Sequence, residues 1–341
     1  MRSDLPFQRR LAPTCILRNH CQLSNMSVNA SVPEIPMPDS IPSETRSLAA
    51  PRAHLFGVSV AMVTPFLPDG SVDLDRFADH AAAMMSRGAD GLTLYGTTGE
   101  GASLGPSDRA AMLDAAKDAG VAPERMTVCI AACDLETAES QTRAAFAGGV
   151  RRLLLAPPFY FKGVDDESLF RWVSEYVSRI ADGDPEIILY HIPQVTGVHF
   201  DAPLIRRIKD SFGDAIFGVK DSAGSWDHTA PLLPMDDLAI MIGDERLLAR
   251  AAPLGGAGAI SGMANLVPEL LHQMIFEGRA MPEMDRLVDD VVRAPVTPLV
   301  KALVGAARAE KGWDQTRAPL APADPALVAA LAPRVKALSG R

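Results

Sequence analysis

Eight short apolar runs, separated by longer amphipathic segments, most constrain what this chain of 341 residues can fold into. The runs are mostly continuous rather than alternating in polarity, which is typical of parallel strands covered on both faces. They span residues 57–63, 91–95, 126–131, 152–156, 186–190, 216–220, 239–242 and 259–261. Eight consecutive strand–helix units make a (β/α)8 TIM barrel, so the sequence predicts this α/β fold.

An open, doubly wound parallel sheet is the alternative α/β architecture. It often carries a glycine loop that binds phosphate after its first strand. Here the first apolar run is followed by Thr64, Pro65 and Phe66 instead of glycines. The number of runs and the sequence of this first turn therefore favour the barrel.

The predicted barrel occupies residues 51–280, and a C-terminal helical segment occupies residues 281–341. The first segment between two runs has apolar residues at helical spacing: Leu74, Phe77, Ala81 and Met84. Asp73 is its predicted N-cap and Gly88 its predicted C-terminal stop. Residues 1–50 show neither a helical nor a strand period, which predicts a disordered N-terminal extension.

Composition excludes several partners. A net charge of −9 argues against nucleic-acid binding, which needs a basic face. No run of about 20 apolar residues occurs, so no membrane span is predicted. The four cysteines are Cys15, Cys21, Cys129 and Cys133. They have neither zinc-site spacing nor the density of a disulfide scaffold, which predicts a cytoplasmic protein.

A barrel enzyme carries its active site at the carboxyl ends of the strands. Of seven lysines in the chain, only Lys220 closes an apolar run. Burial at the barrel mouth removes water from a lysine and disfavours its charged form, and a neutral amine can attack a ketone. The alternative is a lysine at a strand end that reaches solvent or Asp221.

Hydroxyl groups follow other runs and are candidates for proton transfer. Tyr190 ends the fifth run, so its phenol could relay protons to a nearby amine, with Thr97 and Tyr160 extending the relay to water. The turn from Gly96 to Glu100 offers backbone N–H groups that suit a carboxylate. The alternatives are a structural barrel tyrosine and a plain turn.

Five stretches carry a family resemblance. They are GTTGEG at 96–101, PPFYF at 157–161, YHIPQVTG at 190–197, GVKDSAG at 218–224 and GGAGAISGMAN at 255–265. Together and in this order they resemble the dihydrodipicolinate synthase / N-acetylneuraminate lyase family of class I pyruvate aldolases, which form a Schiff base. The resemblance covers about residues 56–325 and includes RAPL at 317–320.

The resemblance implies a role for each matching position. Lys220 would form the imine with pyruvate or another 2-oxo acid, and Tyr190 would relay protons above it. Thr97 and Thr98, with the backbone at Gly96, would hold the carboxylate of the substrate. The covalent imine would replace any cofactor or metal ion, and the partner substrate would be an aldehyde.

Two further positions match residues that line the family's pocket. Tyr160 would complete a hydroxyl triad by reaching into the site of a neighbouring subunit, and Ile260 would line the pyruvate pocket. The family usually forms homotetramers built from two tight dimers, so the resemblance implies a dimer of dimers here.

Several residues depart from the lysine-pathway synthases of the family. Val195 stands where those enzymes carry an arginine that grips the second substrate's carboxylate. Asp244 and Glu245 follow the seventh run, and comparable carboxylates of the family's sugar-acid lyases bind substrate hydroxyls; the alternative is an acidic helix start. His191 replaces the usual asparagine and has no partner at short spacing, which favours a hydrogen-bonded structural histidine.

These features predict a lyase that acts on pyruvate or a 3-deoxy sugar acid with a 2-oxo group. The alternative within the family is 4-hydroxy-tetrahydrodipicolinate synthase, which uses pyruvate and aspartate semialdehyde. A non-catalytic barrel that binds small acids is an alternative of another class. The sequence GASLG at 101–105 also matches the GxSxG pattern of serine hydrolases, but Ser103 does not directly follow a strand.

Overall fold

The computed structural model describes residues 55–340, which form a closed barrel of eight parallel strands in chain order. The strands are β1 Gly57–Ala61, β2 Gly91–Leu94, β3 Met126–Ile130, β4 Arg152–Leu155, β5 Glu186–His191, β6 Ile216–Asp221, β7 Ala239–Ile242 and β8 Gly258–Ser261. Each lies on one of the apolar runs, so the predicted barrel is confirmed. The predicted N-terminal extension, residues 1–50, lies outside the described residues.

Helices connect the strands and cover the barrel. They are α1 Leu74–Ser86, α2 Pro106–Asp118, α3 Leu135–Ala147, α4 Asp166–Ile180, α5 Pro193–Thr196, α6 Ala202–Phe212, α7 Trp226–Leu232, α8 Leu248–Ala251 and α9 Pro268–Phe276. In α1 the Asp73 side chain accepts a hydrogen bond from the Arg76 N–H, and Gly88 has a φ of 89°. Both predicted boundaries of this helix are therefore confirmed.

The pairing of β5 with β6 positions the residues of most interest. Tyr190 lies opposite Lys220 in the register, and His191 lies opposite Asp221. Successive side chains of a strand point to opposite faces, so each strand presents one of these residues to each face. The barrel closes where β1 pairs with β8, from Gly57 beside Gly258 to Val60 beside Ser261.

Three helices follow the barrel: α10 Pro282–Val291, α11 Val296–Arg308 and α12 Pro325–Ser339. The segment between α11 and α12 carries the buried Trp313, whose indole ring lies edge-on to His80 of α1 with a centroid distance of 5.2 Å. The assignment of residues 281–341 to a separate segment stays a prediction. Within residues 55–340, no helix has the length and apolar character needed to span a bilayer.

Candidate active site

Lys220 and Tyr190 meet at the carboxyl ends of β6 and β5. The Lys220 amino nitrogen donates to the Tyr190 hydroxyl over 3.3 Å and lies 4.3 Å from the centre of the phenol ring. The two side chains are buried, with residue exposures of 6% and 3%. The lysine that the sequence predicted to be buried at the barrel mouth is therefore shielded from bulk water.

The turn after β2 adds a second hydroxyl to this pair. The Thr97 Oγ1 atom lies 3.3 Å from the Tyr190 hydroxyl oxygen. Thr97 is exposed, whereas Lys220 is buried. Lys220, Tyr190 and Thr97 form what we call the inner cluster, a line of polar groups that runs from a buried amine to the solvent.

The backbone of this turn is tightly constrained. Tyr95 and Glu100 adopt left-handed backbone conformations with φ values of 61° and 56°, which residues other than glycine rarely adopt. A Cβ atom at Gly101 would lie 1.6 Å from the Tyr95 carbonyl oxygen, so only glycine fits there. The Thr64 hydroxyl donates to the Gly99 carbonyl over 2.6 Å. The turn is thus held in one shape against the end of β1.

The remaining predicted carboxylate-binding residues lie in the same turn. The Gly96 carbonyl accepts hydrogen bonds from the N–H groups of Gly99 and Gly101, both at 3.1 Å. Thr98 is half-buried, and a Cβ atom built on Gly262 would lie 3.3 Å from its Oγ1 atom. Thr98 therefore faces the end of β8, whereas its neighbour Thr97 faces β5.

A buried ion pair that sequence reasoning missed supports the turn from below. Lys301 of α11 forms an ion pair with the Glu100 carboxylate and donates to the Thr64 carbonyl over 3.1 Å. The other Glu100 oxygen accepts from the Arg317 N–H at 3.1 Å. Burial lowers the pKa of Lys301, and the hydrogen bond to Glu100 opposes this shift. The sequence signal that could have revealed the pair is the position of Lys301 among the apolar residues of its helix.

Tyr160 does not join the inner cluster within the chain described. Its residue exposure is 75%, and its ring stacks edge-on against Phe161, itself 71% exposed. Among residues 55–340, the hydrogen bonds of the Tyr190 hydroxyl go to Lys220 and Thr97. Tyr160 therefore makes no hydrogen bond with the inner cluster of its own chain, and its predicted place in the site of a neighbouring subunit stays a prediction.

The acidic pair after β7 is already engaged within the protein. Asp244 forms an ion pair of 2.6 Å with Arg246, which also contacts Asp289. Glu245 is buried and accepts a hydrogen bond from the Ser261 hydroxyl at the end of β8. Burial raises the pKa of Glu245, and the hydrogen bond from Ser261 opposes this shift.

Ile260 and Ser103 complete the set of residues considered from the sequence. Ile260 is buried in β8, opposite Ser59 of β1. Ser103 lies in a one-turn 3-10 helix, Gly101–Ser103, rather than directly at the end of a strand. A hydrolase elbow requires the latter position, so the local geometry argues against a nucleophilic serine.

The outer face of the same strand ends carries another polar group of residues. His191 Nδ1 lies 3.2 Å from a carboxylate oxygen of Asp221 and 3.1 Å from Nδ1 of His228. We call His191, Asp221 and His228 the outer cluster. Sequence reasoning found no short-range partner for His191, whereas the fold supplies two from β6 and α7.

A closed β/α barrel with a buried lysine at the end of β6 defines a class, the barrel lyases that form a Schiff base with their substrate. The chain belongs to the dihydrodipicolinate synthetase family, whose model matches residues 54–337. The family resemblance stated from the sequence is therefore confirmed. With it, the chain is a Schiff-base-forming lyase.

Individual relatives agree with this assignment. An uncharacterized DapA-like lyase of Chloroflexus aurantiacus is 34% identical over 227 residues, 65% of this chain and 73% of that protein. The 4-hydroxy-tetrahydrodipicolinate synthase 1 of Streptomyces coelicolor is 33% identical over 288 residues, 79% of this chain and 90% of that protein.

A solved structure is similar over the whole barrel. The crystal structure of dihydrodipicolinate synthase from Agrobacterium tumefaciens has a TM-score of 0.80 and 43% identity, and the match covers 83% of this chain and 99% of that one. The structure of KD(P)GA from T. tenax has a TM-score of 0.71 at 24% identity, covering 84% of this chain and 99% of that one. This second likeness shows the shared fold.

Proposed function

We propose that the chain makes or cleaves a carbon–carbon bond of a 2-oxo acid through an imine on Lys220. The observation that carries the proposal is the buried Lys220 amino nitrogen within 3.3 Å of the Tyr190 hydroxyl. Attack of the nitrogen lone pair on C2 of the acid, followed by loss of the carbonyl oxygen as water, gives a protonated imine. This electron sink needs no external cofactor.

In the cleavage direction, Tyr190 accepts the proton of the substrate's C4 hydroxyl as it passes its own proton to Thr97. The electrons of the C3–C4 bond move into the imine, so an aldehyde leaves and an enamine remains. Protonation of the enamine at C3 and hydrolysis of the imine release pyruvate and restore the amine. Thr97 passes protons between Tyr190 and solvent, which its exposure and its 3.3 Å contact with Tyr190 allow.

The substrate carboxylate binds at the turn after β2 in this proposal. Thr97, Thr98 and the backbone of Gly96 supply hydroxyl and N–H groups there, and a fixed turn removes orientational freedom from the reacting acid. Ile260 lines the pocket on the β8 side.

We further propose a 3-deoxy sugar acid as the 2-oxo substrate. Val195, 56% exposed at the mouth of the barrel, offers no cation to the carboxylate of an aldehyde such as aspartate semialdehyde. Asp244 and Glu245 are the proposed partners of the sugar hydroxyls. Asp244 would exchange part of its contact with Arg246 for the substrate.

Trapping of the imine tests the central step. Pyruvate and borohydride should add a carboxyethyl group to the Lys220 peptide, as measured by mass spectrometry after digestion. Lys220→Arg should abolish the adduct. Lys209→Arg is the matched control, because Lys209 donates to the Ile216 carbonyl at the opposite end of β6. An adduct that persists in folded Lys220→Arg, or none in the wild type, would overturn the proposal, and the latter favours a binding protein.

A second candidate activity is that of 4-hydroxy-tetrahydrodipicolinate synthase. The names of the Streptomyces relative and of the Agrobacterium structure favour it. Assays of pyruvate release from a panel of 3-deoxy sugar acids, beside condensation of pyruvate with aspartate semialdehyde, decide between the two. Turnover of the semialdehyde alone would replace the sugar-acid proposal and leave the imine intact.

We also propose a cytoplasmic homotetramer, built as a dimer of dimers. The exposed rings of Tyr160 and Phe161 support it, because a neighbouring chain would cover them. Tyr160 of each chain would then reach the inner cluster of that neighbour. Sedimentation equilibrium should give four chains per particle, and Tyr160→Phe should slow the reaction. A monomer with undiminished Tyr160→Phe activity would contradict this arrangement.

A further inference from the structure

The outer cluster brings three potential metal ligands together behind the inner one. Nδ1 of His191 and Nδ1 of His228 lie 3.1 Å apart, and each lies 3.2 Å from a different carboxylate oxygen of Asp221. The side chains of His191 and Asp221 are each 1% exposed, and that of His228 is 14% exposed. Water therefore has little access to these three donor atoms.

The spacing of these atoms suits a first-row divalent ion. Zn²⁺ binds imidazole nitrogen and carboxylate oxygen at about 2.0–2.2 Å, so tetrahedral ligand atoms lie about 3.3 Å apart. The two Nδ1 atoms lie 3.1 Å apart and each lies 3.2 Å from its own oxygen of Asp221, so either carboxylate oxygen can take a ligand position beside the two nitrogens. The two imidazole rings, tilted by 41° with centroids 3.7 Å apart, rotate to turn both Nδ1 lone pairs towards one ion.

Surrounding contacts orient two of the three donor groups, whereas Nε2 of His191 is buried without a hydrogen-bond partner among the described residues. The ring nitrogen Nε2 of His228 lies 2.9 Å from the Phe200 carbonyl, which can only accept, so Nε2 carries a proton and the ring is held with Nδ1 towards Asp221. The Asp221 carboxylate accepts from the Thr229 hydroxyl at 2.6 Å and from the Ala223 N–H at 3.1 Å. Such outer contacts fix metal-binding histidines and carboxylates in other proteins.

The three side chains offer ligand atoms that lie within 4.8 Å of one another, so a single ion can contact all three. A single proton can bridge the two Nδ1 atoms as an N–H···N hydrogen bond, but it then does not lie on the line to the Asp221 carboxylate. Protons on both would bring two N–H groups within the 3.1 Å that separates those atoms. A divalent ion satisfies both nitrogens and the carboxylate together.

We propose that His191, Asp221 and His228 bind one divalent transition-metal ion, Zn²⁺ by preference, with water as the fourth ligand. The ion ties the end of β5 to the end of β6 and to α7. It lies on the outer face, so it takes no part in the imine chemistry. Its role is to hold the strand ends that carry Tyr190 and Lys220.

Metal content of the full-length chain, produced without a histidine tag, tests the site. Chelator-treated protein is incubated with Zn²⁺, desalted and analysed by plasma mass spectrometry. We expect about one ion per chain in the wild type and a loss of more than about 100-fold in affinity for His191→Asn and for His228→Gln. His272→Gln is the matched control, because His272 is a half-buried histidine of α9 that packs on Phe276.

Co²⁺ provides a second readout that folding defects do not imitate. The wild type and His272→Gln should show the intense visible absorption of tetrahedral Co²⁺, and Zn²⁺ should abolish it. Zn²⁺ should also raise the unfolding temperature of these two proteins and leave that of His228→Gln unchanged. Equal ion content in all variants, or none in the wild type, would overturn the proposal and make the cluster a hydrogen-bonded network.

Discussion

The inner and outer clusters lie on opposite faces of the ends of β5 and β6, yet they differ in their access to solvent. The inner cluster reaches the solvent through exposed Thr97, whereas the outer cluster is enclosed by Phe200 and Thr229. Side chains alternate between the two faces of a strand, so the single pairing register of β5 with β6 places the core of one cluster on each face. Polarity alone therefore does not mark a reaction site; an open path to the buried group does.

The largest expected difference concerns the phenol of the inner cluster. Tyr190→Phe removes the proton relay and should slow exchange of the pyruvate methyl protons in D₂O about 10²–10⁴-fold, as followed by NMR. The ion content of the outer cluster should not change. Tyr176→Phe is the control, since Tyr176 is a buried phenol whose hydroxyl contacts Thr142 outside both clusters. Equal losses in the two variants would contradict the assignment.

The second prediction concerns the support that the inner cluster receives from the C-terminal helices. Lys301→Met leaves Glu100 buried without its partner and should lower the free energy of unfolding by about 3–5 kcal/mol, measured with urea. Adding Glu100→Gln should recover most of this loss, because the unpaired charge is gone. If the double variant is no more stable than the single one, the unpaired charge of Glu100 does not cause the loss of stability.

A smaller effect is expected at the solvent end of the inner cluster. Thr97→Val removes the hydroxyl that lies 3.3 Å from Tyr190 and should slow methyl proton exchange about 10-fold, in line with the loss of one hydrogen bond. Thr97→Ser keeps the hydroxyl and should stay near the wild type. A serine variant as slow as the valine variant would show that packing, not the hydroxyl, matters.

The smallest expected effect is a pH dependence of stability, and it concerns one of two buried carboxylates, Asp221 and Glu245. Asp221 lies between two histidines, whereas Glu245 accepts from the neutral Ser261 hydroxyl and burial raises its pKa. Because the folded-state pKa exceeds the unfolded value, neutral Glu245 stabilises the fold below the unfolded pKa. This contribution is lost as pH rises through the folded pKa.

Glu245→Gln stays neutral at every pH and tests this sign. Its stability relative to the wild type should be constant in acid and should improve as the pH rises from about 4 to about 8, as measured by urea unfolding. Glu283→Gln, at an exposed position, is the control. A relative stability that falls with rising pH would contradict the predicted direction.

The barrel was predictable because each buried strand leaves a local signal. The run at 239–242 coincides with β7, and the others match their strands to within one or two residues. Lys220 and Tyr190 were predictable for the same reason, since each closes such a run. Strand register then brings them together without any further information.

The supporting contacts were not predictable, because they join parts of the chain that no local pattern connects. Lys301 and Glu100 are 201 residues apart, and His191 and His228 are 37 residues apart. In each case the partner comes from a helix, whose polar residues usually face solvent. Only the packing of helix against strand end turns these side chains inward.

The buried contact of Lys301 with the turn after β2 also has a consequence for the order of events during synthesis. The ribosome produces Glu100 long before α11 emerges, so the nascent turn carries its carboxylate without the cation that later covers it. Water serves as the interim partner until the last third of the polypeptide arrives. This turn at the mouth of the barrel is thus translated well before the contact that completes it.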